Sequence, residues 1–207
     1  MKKLVDQSEK NSPGEYDYIF FERQTKKVDE HDIRRWKKLL KHYKGGSLLD
    51  MGCLDSLVCS MARKKDAYSL IMGIDYAEKA IAEMQKKYPT VKYRVDDVYS
   101  TSIPTETFDY IVAGELIEHL DRLEKFFEEA WRLLKPNGIF ALSTPLEEHK
   151  EKGAVDGERH LWSFNLDDIK DFWERPKYGK VFDYAIVGSR WFPYRYCWKT
   201  LVVFCKK

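Results

Sequence analysis

A short apolar run that ends in an acid and a glycine, and then changes its period, constrains this chain more than any other feature. Between Ser47 and Ser60, Leu48 and Leu49 lead into Asp50, Met51, Gly52 and Cys53; a capping Asp55 or Ser56 then introduces Leu57, Val58, Met61 and Ala62. Period two gives way to period 3.6, which predicts a buried strand, a tight turn and a helix. In open α/β sheets such a turn stands at the carboxyl end of a strand, where ligands bind at the reversal of strand order. A dinucleotide pyrophosphate would need further glycines, but Leu54 and Leu57 hold those places. Asp55 would compete with phosphate for the positive end of the helix dipole, so a nucleoside ligand without phosphate fits better.

The remaining elements follow by periodicity. Ile33, Trp36, Leu39, Leu40 and Tyr43 mark a helix over 28–43, which Gly45 and Gly46 stop. Ser69 to Ile74 is a second strand ending in Asp75, and Ala77, Ala80, Ile81, Met84 and Tyr88 mark the next helix. Val91 to Val95 alternates as a third strand that runs into Asp96 and Asp97, and Phe108 to Ala113 is a fourth. A helical face from Leu123 to Leu134 then leads through Lys135, Pro136, Asn137 and Gly138 to a fifth strand, Ile139 to Thr144. The charged stretch from Pro145 to Arg159 reads as a loop over the carboxyl edge of the sheet. Asn165 caps a helix carrying Leu166, Ile169, Phe172 and Trp173, and two strands close the chain, about Phe182 to Arg190 and Trp198 to Cys205.

At 207 residues, 43% hydrophobic, the chain can bury one substantial core. Residues 1–27 are read as an N-terminal arm and 28–207 as one domain. The aromatic cluster Tyr16, Tyr18, Phe20 and Phe21 makes the arm either a lid over an acceptor pocket or packing on the core. Thirty-six basic and thirty-four acidic residues leave a net charge of +2, so no global field calls for nucleic acid or a membrane. Met1 to Lys10 has no apolar signal region, and no stretch approaches a membrane span. Cys53, Cys59, Cys197 and Cys205 form no C-x-x-C pair, which favours reduced thiols and a cytoplasmic location. Nothing in the pattern fixes an oligomeric state.

Asp50 with Gly52, the acid at Asp75, the acid at Asp97 and the run Phe108–Leu120 ending Glu115, Leu116, Ile117, Glu118, His119, Leu120, followed by the Lys135–Gly138 turn, resemble the class I S-adenosylmethionine-dependent methyltransferases. The resemblance covers roughly residues 30–205. It departs from the family at Leu54 and Ser56, where later glycines of the first motif would stand. The fold it implies is a Rossmann-like α/β architecture: a seven-stranded, mostly parallel sheet with helices on both faces and the last strand antiparallel. S-adenosylmethionine is the implied cofactor, a nucleoside that needs no phosphate cradle.

By the same resemblance, Asp50, Gly52, Cys53 and Glu115 border the cofactor. Asp75 receives its ribose, and Asp97 with the amide of Val98 meets the adenine. Residue chemistry agrees at Asp75. It lies twenty-three residues past Gly52, near the roughly twenty-residue offset of a ribose-binding acid. Its carboxylate can accept both hydroxyls of a cis-diol while Tyr76 stacks on the adenine. The alternative is that Asp75 only caps the helix that follows.

Because the sulfonium makes the methyl carbon electrophilic, the protein's task is placement of the acceptor and removal of its proton. His119, His149 and His160 are candidate bases, His119 and His160 foremost. On a helix Glu115, Glu118 and His119 would share a face, and with His160 they could hold a divalent cation such as Mg²⁺. This E-x-x-E-H pattern with a downstream histidine is similar to that of ubiquinone-biosynthesis O-methyltransferases and of small-RNA terminal 2′-O-methyltransferases. The plain alternative is that these residues solvate a short helix. The expected activity is methyl transfer to an oxygen or nitrogen of a small molecule. The rivals are a non-catalytic cofactor-binding scaffold and an RNA 2′-O-methyltransferase, the latter disfavoured by the balanced charge and the missing RNA-binding appendage.

Overall fold

The computed structural model describes residues 2–3, 11–146, 160–165, 167–168, 171, 179–188 and 199–207. The elements in chain order are β1 (Lys2–Lys3), α1 (Pro13–Gln24), α2 (Glu30–Leu39), β2 (Leu48–Met51), α3 (Val58–Lys65), β3 (Ile71–Asp75), α4 (Glu78–Lys87), β4 (Lys92–Val95), β5 (Phe108–Gly114), α5 (Leu123–Leu133), β6 (Leu134–Pro145), β7 (Trp162–Ser163), β8 (Lys180–Gly188) and β9 (Lys199–Lys206). Seven strands form one sheet in the order β4-β3-β2-β5-β6-β9-β8, while β1 pairs with β7. Strand β9 runs antiparallel to both of its neighbours, so β8 returns to the common direction. The α/β architecture and the antiparallel final strand are those the sequence implied.

The parallel strands are apolar on both faces because helices cover both. On one face Phe20, Trp36, Leu39, Val58, Ala62, Ala80 and Ile81 pack against Leu48, Ile71 and Val112. On the other, Phe126, Phe127, Ala130 and Leu133 of α5 pack against Leu49, Met51, Ile111 and Phe140. The order β3-β2-β5 places the reversal of strand order between β2 and β5. The carboxyl ends of these strands open a crevice there.

Three local expectations are corrected. Neither Asp55 nor Ser56 is the N-cap of α3; Leu57 is, without a side-chain bond. Ser56 Oγ instead accepts the N–H of Val58 at 3.1 Å. The fifth sheet strand is entered at Leu134, directly after α5, rather than at Ile139, and the Lys135–Gly138 turn is kept as a bulge within it, between the pairs Leu134–Phe108 and Ile139–Tyr110, with Asn137 at φ 66°. The segment from Glu115 to His119 is not a continuous helix: Glu115 has φ 52°, and only Ile117–His119 forms a single 3₁₀ turn. The loop after Leu146, His149, most of the helix after Asn165, and Cys197 lie outside the described residues. The cap at Asn165 is present, with Asn165 and Asp168 exchanging side-chain to backbone bonds at 2.8 and 3.1 Å.

The arm is a helix packed on the domain, with Phe20 buried in the core. It also caps α4. The N-cap residue of α4, Ala77, offers no side-chain acceptor. Asp17 supplies one from α1, accepting the N–H groups of Lys79 and Ala80 at 3.0 and 3.1 Å. A carboxylate at a helix N-terminus satisfies orphan donors and complements the dipole. Asp17→Ala is therefore expected to lower stability by about 1 kcal/mol and the melting temperature by about 2–4 °C. An unchanged urea midpoint would show that α4 does not depend on this contact.

Candidate functional site

A cleft of about 810 Å³ opens at the carboxyl ends of β2, β3 and β5. It is bordered by Gly52, Cys53, Asp75, Tyr76, Asp97, Val98, Glu115, His119 and His160, together with Asn11, Tyr16 and Arg35. Of the residues selected from the sequence, Asp50 lies behind the cleft wall, 2% exposed, and Glu118 lies beneath it, 1% exposed.

The floor is the turn after β2. Gly52 has φ 70°, and a Cβ there would meet Leu116 Cδ1 at 2.7 Å, so both the backbone and the neighbour demand glycine. Its N–H and that of Cys53 bond Ile74 C=O at 2.9 and 3.0 Å. Asp75 ties this turn to the next: Oδ2 accepts the N–H of Leu54 at 3.0 Å and Oδ1 the N–H of Ala77 at 3.0 Å. Asp75 therefore holds the turn after β2 as well as the chain ahead of α4. Burial is the main force raising its pKa, to about 6, against the lowering effect of the amides. Cys53 is buried, and burial raises its thiol well above the ordinary range.

Asp97 and Val98 border the opposite side. Asp97 Oδ1 accepts the N–H of Tyr99 at 2.8 Å, which fixes the loop, while the competing Asp96 is committed to Arg94. Tyr76 donates its hydroxyl to Asn11 C=O at 2.7 Å, and its ring lies 5.5 Å from that of Tyr16. The arm therefore serves both packing and the cleft.

At the other end the backbone kink at Glu115 separates the two acids. Glu115 Oε1 accepts from Ser143 Oγ at 3.0 Å and lies 3.4 Å from Arg35 Nη1. Glu118 turns the other way, accepting from Thr144 Oγ1 at 3.1 Å. Ligand atoms of Glu118, His119 and His160 all lie within 4.8 Å of one another. Glu115 is outside this group, because the face-sharing expected of a helix does not exist here. The two imidazole rings are 4.8 Å apart and edge-on. Glu118 Oε1 has no hydrogen-bond partner among the described residues, and burial pushes the pKa of this carboxyl up to about 7.

Arg35, a charge on the buried stripe of α2, was missed by sequence reasoning. It sits three residues after Asp32 and one before Trp36, so its place among apolar positions was the available signal. Arg23 of α1 was missed too; it bonds Asp55 at 2.7 Å and Asp32 at 3.0 Å, clasping α1 to the turn and to α2.

Residues 49–142 match the family described as a methyltransferase domain. Beyond that span the comparisons show similarity to S-adenosylmethionine-dependent methyltransferases. The chain is 30% identical over 114 residues to a probable S-adenosylmethionine-dependent methyltransferase of Mycolicibacterium smegmatis, covering 53% of this chain and 42% of that protein. It is 32% identical over 116 residues to a ubiquinone biosynthesis O-methyltransferase of Rhodopseudomonas palustris, covering 54% and 45%. The match thus spans less than half of the length of these relatives. In fold, the chain superposes with a TM-score of 0.74 on the 1,6-didemethyltoxoflavin-N1-methyltransferase of Burkholderia thailandensis with bound 1,6-didemethyltoxoflavin and S-adenosylhomocysteine, at 16% identity over 100% of this chain and 92% of that one. Among the described residues no helix is long and apolar enough to cross a membrane.

Asp50 carries a testable linkage. Burial, followed by the neighbouring charge of Asp75, raises it from 3.8 to about 7, against a hydrogen bond from Ser56 and the charge of Arg35. The native state thus keeps a proton that the unfolded chain releases. Its stabilising contribution is full below about pH 4 and is lost as pH rises through about 7. Asp50→Asn is expected to exceed the wild type at about pH 8 by up to about 4 kcal/mol and to match it near pH 4, by urea unfolding. An offset equal at both pH values would contradict this.

Proposed function

We propose that the cleft binds S-adenosylmethionine and that the chain transfers its methyl group to an oxygen or nitrogen of a small molecule. The observation that carries this reading is Asp75: a buried strand-end carboxylate that ties two turns together and keeps acceptor positions for a ribose cis-diol. The residues present fit the group. Gly52, Tyr76, Asp97 and Val98 all border the cleft; Tyr76 and Val98 would offer apolar surface to an adenine, and Asp97 would accept its amino group. When bound, the sulfonium supplies an activated methyl carbon. The chain's part is to position the acceptor between α1 and the 3₁₀ turn, to exclude water with Tyr16 and Leu116, and to accept the acceptor's proton at a ring nitrogen of His119 or His160. Asp75→Ala is expected to weaken S-adenosylhomocysteine at least about tenfold, the worth of a charged hydrogen bond, in equilibrium calorimetry. Wild-type binding without turnover of labelled S-adenosylmethionine across phenols, amines, sugars and RNA would favour the scaffold reading instead.

A second reading concerns a divalent cation, favoured by the convergence of Glu118, His119 and His160 and by the unpartnered Glu118 Oε1. One carboxylate and two imidazoles with open positions suit a first-row ion such as Mn²⁺ and, less well, Mg²⁺. When bound, the ion would make an acceptor hydroxyl easier to ionise. Glu115, held by Ser143 and beside Arg35, is left out of this set. Titration with Mn²⁺ and with Mg²⁺ is expected to show one site in the wild type and none in Glu118→Ala. No heat from either protein overturns the cation.

A further inference from the structure

We propose that Arg23 of α1 is a positioning residue for the cofactor: it holds the turn after β2 in the shape that receives the ligand, at the place where Leu54 stands instead of glycine. This rests on the cofactor reading above. Leu54 has φ 32°, in the left-handed region, where a side chain crowds the following carbonyl oxygen. Backbone of this kind persists where its surroundings over-determine it. Two bonds from distant parts of the chain do so here. The N–H of Leu54 goes to Asp75 Oδ2 at 3.0 Å, and Asp55, the next residue, accepts from Arg23 Nε at 2.7 Å. Within the turn, the N–H of Ser56 bonds Cys53 C=O at 2.7 Å.

The bond from Arg23 is the one that reaches this turn from outside the sheet. The Asp55 side chain is 17% exposed, and Arg23 is its one ion-pair partner among the described residues. Arg23 is itself braced, since Nη2 donates to Asp32 of α2 at 3.0 Å. One planar guanidinium thus spans two carboxylates in fixed directions. Arg23, Leu54, Asp55 and Ser56 all border the cleft, so a shift of this turn changes the wall that a ligand meets. The arm does not depend on Arg23 for its place on the domain. Phe20 is buried in the core, and Asp17 caps α4 with two bonds. Loss of the guanidinium therefore leaves α1 docked and releases the turn. By this contact a residue thirty-two positions before Asp55 becomes part of the cofactor site without touching the ligand.

The test is a double-mutant cycle read by calorimetry with S-adenosylhomocysteine. Arg23→Gln is expected to weaken binding by about 5- to 30-fold, the range that corresponds to holding one residue with a side chain in the left-handed region. In a Leu54→Gly background, where glycine takes the same φ freely, Arg23→Gln should weaken binding by less than about twofold. Equal losses in the two backgrounds overturn the role of Arg23. So does a lower melting temperature for Arg23→Gln with unchanged affinity in the folded protein, the result of a purely structural clasp. Should Arg23→Gln fail to fold, Asp55→Asn reads the same pair from its other end: a loss relieved by Leu54→Gly is expected, and a loss equal in both backgrounds, or none, overturns the proposal. A wild type that does not bind S-adenosylhomocysteine removes the cofactor reading and this one together, whereas equal binding by the wild type and every variant overturns Arg23 alone.

Discussion

The carboxylate of Asp75 joins the two turns on which the crevice depends. One oxygen holds the N–H of Leu54 in the turn after β2, and the other holds the N–H of Ala77 ahead of α4. Each turn on its own is a short loop with a residue at positive φ or an uncapped helix start, as Gly52, Leu54 and Ala77 show. Joined through one buried group, they become a single rigid edge. Such rigidity suits methyl transfer, where placement of the reacting atoms supplies much of the acceleration.

Electrostatics organise the rest of the cleft. Asp50, Asp75 and Glu118 are all buried, and for all three desolvation is the largest influence, holding them nearer to protonation than exposed acids. A cluster of full negative charges would be prohibitively costly in such surroundings. Arg35 offsets part of it from α2, at the cost of its own pKa being lowered, first by burial, despite Asp32 and Glu118. Arg23 carries the same compensation outward and fastens α1 across the turn. The arm is therefore bound to the domain by charge at Arg23, by a cap at Asp17 and by an apolar anchor at Phe20.

Much of this was legible in the sequence because strand and helix periods are set by burial, and burial dominates the central sheet. Leu48–Met51, Ile71–Asp75 and Phe108–Gly114 fall where alternation and acid-glycine punctuation placed them. The site was less legible where one φ angle changes the outcome. Glu115 in the left-handed region breaks the helical spacing that grouped it with Glu118 and His119, and no periodicity argument reveals such a residue. Long-range partners were equally hidden. Asp17 and α4 are more than sixty residues apart, and Arg35 became visible only as a charge among Trp36 and Leu39. The glycine replacements at Leu54 and Ser56 were visible as a departure, but not how the chain meets it: Leu54 gives its N–H to Asp75, and Ser56 Oγ accepts the N–H of Val58.

The most direct measurement is a crystal structure grown with saturating S-adenosylhomocysteine. The account predicts a nucleoside in the crevice, with both ribose hydroxyls on the Asp75 carboxylate and the adenine beside Val98. Density for the nucleoside elsewhere, or a crevice between β2, β3 and β5 that holds none at saturation, would contradict it.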